Sequence, residues 1–312
     1  MQQYLDIVKN ILDNGEWKTP ERVREDCTLT RTKVLTHVLF QHDMSLGFPI
    51  MTTRKMPWKT MKVELEGFIG GITNKRWYQE NGCNIWNQWA NPVAVTQHWL
   101  FSGTKSFEEE KLKIQEGCDD LGPFYAWQLR NFGVPYVPNE PNSTKLAPLY
   151  KDPRDQLATI VHTLKNRPND RRMVVSYWNP SQFDQMSLPA CGYTWGVQHV
   201  NGHLDLFYTL RSCDFLLGNA ILTFGLLLTL LAKTSNLIPR KLTGFFADCH
   251  IYENQIEGAT QLIKRKPRPL PTLELNPTND NDSFDIFQWT HNNAKLINYD
   301  PYGPLSFGDI IV

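Results

Sequence analysis

The sequence predicts an α+β fold, and three observations carry that prediction. Two separated stretches have helical hydrophobic spacing. A section in the second half alternates in the manner of strands and contains an Asn-Gly hairpin signal. Helices and strands also follow one another without the regular alternation of a doubly wound sheet. The chain has 312 residues, which fits one large domain or two small ones, and 41% of them are hydrophobic. That content is ample for a sizeable core and too high for a disordered chain. Lys and Arg total 32, as do Asp and Glu, so the formal net charge is zero. A neutral balance argues against a general nucleic-acid coat, which needs a basic excess.

Tyr4, Leu5, Val8, Ile11 and Leu12 stand at helical spacing and predict an amphipathic helix over 1–14, unlike an apolar signal core. Residues 28–40, rich in Thr and Val, read as a strand. GFPIMTT (47–53) reads as a loop running into a second strand. Trp58, Met61, Leu65 and Phe68 restore helical spacing over 57–70, with Gly70 and Gly71 as the stop. From 91 to 120 the pattern weakens, EEEKLK forms an exposed charged turn, and the stretch reads as an insertion. Residues 131–155 are proline-rich surface loop, and a helix over 154–165 follows. Strands are predicted in MVVSYWN, YTWGVQHV and HLDLFYTLRS, the last two joined at Asn201 and Gly202. The apolar run 219–232 is too short to span a membrane and predicts a buried helix over 219–234. A strand over 241–246, a helix beginning near His250, and the closing segment KPRPLPTLEL complete the reading. The six cysteines form no CxxC pair and no Cys/His metal spacing, so a reduced, cytoplasmic protein without a metal is expected.

Cys191 lies in SLPACGYTW between a proline turn and a strand, where reactive side chains are often displayed. A cysteine becomes nucleophilic when nearby cations favour its thiolate. Arg171, Arg172 and Arg211 supply guanidinium groups, which also pair with phosphate. Each feature alone is weak, because a lone cysteine is more often core and an Arg pair is usually a solvated face.

Their arrangement is more specific. GFPIMTTRK (47–55), IWNQWA (85–90), LGPFYAWQLR (121–130), NDRRMVVSYWNP (169–180), LPAC (188–191), LRSCDFLLG (210–218) and DCHIYENQ (248–255) occur in sequence. Together they resemble folate-dependent thymidylate synthases and their pyrimidine hydroxymethylase relatives over most of the chain, outside 91–120. The resemblance implies one catalytic domain over 1–312, with a large mixed sheet packed by helices and a sheet-to-sheet homodimer with shared active sites. It implies a pyrimidine nucleoside monophosphate and 5,10-methylenetetrahydrofolate as ligands, with neither nucleic acid nor membrane as partner. Cys191 would add to C6 of the pyrimidine and make C5 nucleophilic. Glu64, rather than Glu66, would move protons through water, and Tyr125 would assist loss of the C5 proton. Arg211 and Ser212 would hold the phosphate, joined by Arg171 and Arg172 from the second subunit. His250 and Tyr252 would read the sugar hydroxyl, and Trp86, Trp89, Asp214 and Gly218 would form the folate side. The tail YGPLSFGDIIV would close over the folate, and Cys213 and Cys249 would be structural.

Departures from the pattern gather around the base. An ungapped match puts Leu222 where thymidylate synthases carry the asparagine that reads uracil and cytosine-acting relatives carry aspartate. Leucine offers neither donor nor acceptor there. Asn219 is near but out of place by about one helical turn. Gly192 stands where a histidine usually follows the nucleophile, and Leu210 replaces a glutamine. Cys27 takes the place of a mobile phosphate arginine, with Arg24 and Arg31 nearby. Family members reach an exocyclic methylene intermediate on the pyrimidine, which hydride converts to methyl and water to hydroxymethyl. The losses at the base edge lead to the expectation of a 5-hydroxymethyl product from dCMP or dUMP. A methylating enzyme, either a divergent thymidylate synthase or a dCMP methyltransferase, is the alternative. More remote readings are an inert binding homologue and a hydrolase pairing Cys191 with His199 or His203.

Overall fold

The computed structural model describes residues 1–19, 30–102, 115, 117–139, 145–279, 283–305 and 307. Cys27, Arg24, the EEEKLK turn and the end of the C-terminal tail lie outside the described residues. Helix α1 (Gln2–Asn14) buries Tyr4, Leu5, Ile7, Val8 and Ile11, the apolar stripe of its sequence. Strands β1 (Glu16–Lys18) and β2 (Thr32–Asp43) follow. Helix α2 (Trp58–Gly70) ends where Gly71 turns left-handed at φ +71. Next come α3 (Lys75–Glu80), α4 (Pro92–Ser102), α5 (Tyr125–Asn131) and α6 (Gln156–Asn166). Strands β3 (Val174–Ser176), β4 (Gly192–Val200), β5 (His203–Leu210) and β6 (Cys213–Asp214) lead to helix α7 (Asn219–Thr234). The chain continues through β7 (Ile238–Tyr252), α8 (Ile256–Leu262), β8 (Thr272–Leu275) and β9 (Ala294–Ile297).

The main sheet runs β1-β2-β7-β5-β4-β3, with β6 also paired to β7. Its neighbours are antiparallel except β5 with β7 and β6 with β7. A parallel pair cannot be closed by a hairpin and needs a crossover, which α7 supplies. That helix packs Leu226, Leu228, Leu230 and Leu231 into the core with no exposed surface. Beneath it, Leu204, Leu206, Tyr208 and Leu210 of β5 point inward at every second position. The β4–β5 connection is the hairpin expected at Asn201 and Gly202, both at positive φ. The result is the mixed α+β domain that the sequence predicts. No helix among the described residues is long and apolar enough to cross a membrane.

Two sequence expectations are corrected. Residues 47–53 form no strand: Gly47 has φ +116, Pro49 lacks an N–H, and the segment is held as a loop. Phe48 N–H donates to Pro271 O, and Thr52 O accepts from Tyr302 N–H, each at 2.8 Å. The helix expected to begin near His250 starts later, with a 3-10 turn at Glu253–Gln255 leading into α8. The strand predicted over 241–246 runs through Tyr252, because β2 offers a partner along this length, from Thr32 opposite Tyr252 to Asp43 opposite Lys241. Local patterning cannot see that ladder. Within 91–120, the structure places α4 at the start of the stretch read as an insertion.

Behind the sheet, Arg130 and Asp155 form an ion pair in which both side chains are 1% exposed. Arg130 Nε and Nη2 donate to the two carboxylate oxygens at 3.0 and 2.9 Å, and its Nη1 donates to Ile69 O at 2.6 Å. Asp155 also caps α6 through Ala158 N–H at 3.0 Å. One carboxylate thus ties α5, α6 and the end of α2 together. Asp155→Ala leaves a buried guanidinium uncompensated and removes a cap, so a stability loss of about 3–5 kcal/mol is expected. Denaturant titration of the two proteins measures it, and a loss below about 1 kcal/mol would contradict this account.

Candidate active site

Helices α2 and α7, the segment entering β4 and the last turns of β7 enclose a cavity of about 400 Å³, within the range of small-molecule sites. Of the residues that the resemblance assigns to catalysis, nucleotide or folate, all line it except Leu222, Arg171 and Arg172, and His199 and His203 of the hydrolase reading do not line it either.

Cys191 sits at the entry to β4, and its backbone is gripped from two sides. Its N–H donates to the Tyr125 hydroxyl at 2.7 Å, and Gly192 N–H reaches the same oxygen at 3.3 Å. Opposite, Arg211 N–H donates to Cys191 O at 2.8 Å, Nε to Ala190 O at 3.1 Å and Nη2 to Pro189 O at 2.8 Å. Nη2 also lies 3.8 Å from Cys191 Sγ, so a cation faces the sulfur. These contacts leave Nη1 without a protein partner among the described residues. Ser212 lines the cavity beside it. Tyr125 is placed by its neighbours: Gly122 makes the preceding turn at φ +72, and Phe68 stacks on the ring at 5.2 Å. Burial, with the neighbouring sulfur, pushes the phenol well above its ordinary range, so it keeps its proton.

Glu64 and Glu66 take separate roles. Glu66 is consumed by structure, accepting from His291 N–H at 2.6 Å and facing the His291 ring at 2.7 Å and Lys145 Nζ at 2.9 Å. Two residues earlier on α2, Glu64 points into the cavity, as that spacing on a helix requires. Burial raises its pKa to about 7, partly opposed by the nearby Trp86 indole N–H. That N–H is itself buried and closes no well-formed hydrogen bond among the described residues. Trp86 and Trp89, with Phe68, Leu217 and Ile221, form an apolar wall. Asp214 stands at its margin, accepting from Gln255 Nε2 at 2.8 Å and Leu216 N–H at 3.1 Å, and burial raises its pKa. Gly218 makes the turn into α7 at φ +65, where a Cβ would lie 2.1 Å from Met51 Cε.

On β7, Asp248, His250 and Tyr252 alternate onto one face. Asp248 receives His250 Nδ1 at 2.7 Å and Lys18 Nζ at 2.8 Å. Burial alone would raise this carboxyl, but those two bonds outweigh it and hold its pKa at about 2. With Nδ1 committed to Asp248, Nε2 is the nitrogen left to face a ligand. Asp248 is a site residue that the motif DCHIYENQ contains but that its resemblance alone does not single out. The D-x-H-x-Y spacing on a strand was the signal available.

Three candidates fall elsewhere. Leu222 is fully buried in the core and lines no part of the cavity, because the cavity-facing side of α7 carries Ala220, Thr223, Phe224 and Leu227. Arg171 and Arg172 belong to a surface recess formed by residues 167–172, with Arg172 89% exposed and 3.6 Å from Asp170. Arg54 was not singled out from the sequence. Its Nη2 donates to Leu216 O and to Leu217 O, fixing the approach to Gly218. Asn219 and Thr223 also line the cavity. Cys213 is half-buried at the cavity and Cys249 is fully buried. Among the described residues, no cluster of three or more His, Cys, Asp or Glu is arranged to hold a metal.

The family model described as thymidylate synthase matches residues 2–309. The thymidylate synthase of Mycoplasma pneumoniae is 32% identical over 319 aligned residues, which cover 100% of each chain. Similarity that runs the length of the chain makes this protein a member of the thymidylate synthase family.

Proposed function

We propose that the protein transfers one carbon to C5 of a pyrimidine nucleoside monophosphate through a covalent Cys191 adduct, giving a 5-hydroxymethyl nucleotide. The observation that carries this reading is the convergence on Cys191 of a cation, a protonated phenol and a carboxyl tuned near neutrality. C5 of a pyrimidine is a weak nucleophile. When the Cys191 sulfur bonds to C6, the electrons of the C5–C6 double bond shift into the ring carbonyl system and C5 becomes enolate-like. Arg211 keeps the attacking loop in place and offers its Nη1 donors, with the Ser212 hydroxyl, to the phosphate. His250 Nε2 and Tyr252 meet the sugar. Glu64, with both protonation states populated near neutral pH, can give and take a proton at the base.

The wall opposite suits a folate. Its aromatic and aliphatic side chains match a flat heterocycle, while the buried Trp86 N–H and the Asp214 carboxyl offer a donor and a polar partner at its edge. Trp86, Trp89, Asp214 and Gly218 would hold 5,10-methylenetetrahydrofolate, which supplies the one-carbon unit when bound. The hydroxymethyl outcome is supported at Gly192. A Cβ built there would meet nothing closer than 3.8 Å, and the backbone is not in the left-handed region. This glycine therefore leaves space beside the nucleophile, and that space suits a water. The name of the Mycoplasma relative favours a methylated product as the second reading.

In this reading the protein acts as a sheet-to-sheet homodimer. Leu39 and Val174 are exposed and Phe207 and Phe245 half-buried on the sheet face away from the core, an apolar surface suited to a second copy. The placement of Arg171 and Arg172 outside their own protomer's cavity suits a role in the partner's site.

Mass spectrometry after incubation with methylenetetrahydrofolate and dUMP, dCMP, UMP or CMP tests the function. Gain of CH2O on one nucleotide is expected, gain of CH2 establishes the methylating reading, and Cys191→Ala should abolish either product while still binding nucleotide. Glu64 gives a second prediction. Its folded pKa of about 7 lies above the ordinary 4.5, so the folded chain binds more protons between those values and wild-type stability falls as pH rises through them. Glu64→Gln should lose turnover, yet its melting temperature relative to wild type should climb from about pH 5 to about pH 8. A flat difference would place the perturbed group elsewhere. Third, co-expressed Cys191→Ala and Arg172→Ala chains should recover about a quarter of wild-type activity, since only mixed dimers contain one intact shared site. No recovery would confine the site to one protomer.

A further inference from the structure

The wall segment 84–89 belongs to no helix or strand and is closed by Asn87 N–H to Asn84 O at 3.2 Å and Trp89 N–H to Trp86 O at 3.0 Å. How such a turn lies against the molecule is set by where its carbonyls find donors. Here three successive carbonyls are held by two side chains. Lys75 Nζ donates to Asn87 O at 2.9 Å and to Trp89 O at 3.1 Å, and the Gln115 side-chain amide donates to Gln88 O between them. A further Nζ bond, at 2.7 Å, goes to Gln115 O, and the Lys75 backbone N–H donates to Asp119 O at 2.8 Å. Gln115 and Asp119 belong to the stretch 91–120, so this fully buried lysine ties that stretch to the wall.

An ammonium carries three N–H donors, and three carbonyls match them. Lysine is almost never found fully buried, since desolvating its charge costs heavily unless hydrogen bonds replace the water. In the interior those bonds are stronger than at a surface, and each holds its carbonyl firmly. A neutral aliphatic side chain would fill the same space, so the core gives no reason for a charge here; the carbonyls do. Neither Lys75 nor Gln115 lines the cavity, whereas Trp86 and Trp89, at the two ends of the held turn, both do. Trp86 meets Phe124 edge-on at 4.8 Å and Tyr125 at 6.2 Å, so a tilt of the turn would carry its indole away from Tyr125 and Glu64. We infer that Lys75, with Gln115, is a positioning residue for the folate wall, setting the affinity for methylenetetrahydrofolate through Trp86 and Trp89 without touching the ligand. The inference rests on the folate side of the function proposed above.

Steady-state kinetics of full-length Lys75→Met and Gln115→Ala chains, with the reactive nucleotide saturating, test this beside calorimetric titration with that nucleotide alone. Methionine keeps the length and apolar stem of lysine but offers no donor. Its KM for methylenetetrahydrofolate should rise about tenfold or more, and Gln115→Ala, which removes one exposed bond, should raise it about threefold. In both, kcat should stay within about threefold of wild type and the nucleotide dissociation constant within about twofold. Thermal melts establish that each variant is folded. Where Lys75→Met folds, it decides. An unchanged folate KM overturns the inference, and so does an equal loss of folate and nucleotide affinity, which would make the lysine a general support of the fold. If Lys75→Met shows no cooperative melt, Gln115→Ala decides instead, and an unchanged folate KM there overturns the inference. In each of these cases wild-type turnover leaves the folate reading intact. A wild-type chain that gives no folate-dependent product from dUMP, dCMP, UMP or CMP overturns the folate reading and the inference with it.

Discussion

Because β5 and β7 lie parallel inside a largely antiparallel sheet, the chain leaving Leu210 must travel back along the sheet before Ile238 can begin. That return is α7, and its placement decides much of the molecule. The helix covers one face of the sheet and is buried nearly throughout. The link that leads into it crosses the sheet end, carrying Arg211, Ser212, Asp214 and Gly218 past Cys191. Strand β6, within that link, pairs with β7 at Cys213–Cys249 and Asp214–His250, bringing the link against the Asp248, His250 and Tyr252 face. Gly218 then makes a turn that no other residue could make without displacing Met51. A topological requirement of backbone hydrogen bonding thus assembles the cavity from segments distant in sequence.

The charges of the interior divide into those that are fixed and those that are poised. Arg130 with Asp155 is a matched ion pair whose hydrogen bonds offset desolvation, and Asp248 is held ionised by hydrogen bonds from His250 Nδ1 and from Lys18 Nζ at the surface. Glu66 belongs with them through Lys145 and His291. Glu64 differs: it is buried with no cation beside it among the described residues, and burial raises its pKa to about 7. The same helix therefore carries a carboxylate that holds the fold and a carboxyl able to exchange a proton, separated by one residue. Arg211 combines the two functions, since its grip on three backbone carbonyls keeps it aimed at the sulfur.

Much of this was legible in the residues themselves. The spacing of Tyr4, Val8 and Ile11 gives α1, Asn201 and Gly202 give the β4–β5 hairpin, and the apolar run gives α7, because each depends on neighbours within a few positions. Cys191, Arg211, Tyr125 and Glu64 were named from motifs, and the structure brings all four to one cavity. The reach of β7 past His250 was not legible, since only β2 makes it a strand. Nor was the role of Asp248, whose interest lies in what it touches.

What the sequence determined by itself is the chemical inventory: a cysteine beside a proline turn, arginines in its motifs, two carboxylates on one helix and an aromatic segment. Side-chain chemistry belongs to the residue and survives without coordinates. Tertiary structure alone decided which members of that inventory meet. It separated Glu64 from Glu66, set Arg171 and Arg172 on a surface apart from Cys191, and turned Leu222 into the core while turning Asn219 and Thr223 toward the cavity. The reason is geometric, because the phase of a helix and the register of a ladder are fixed by packing across the whole domain and a shift of one or two residues exchanges the side chains that face the site.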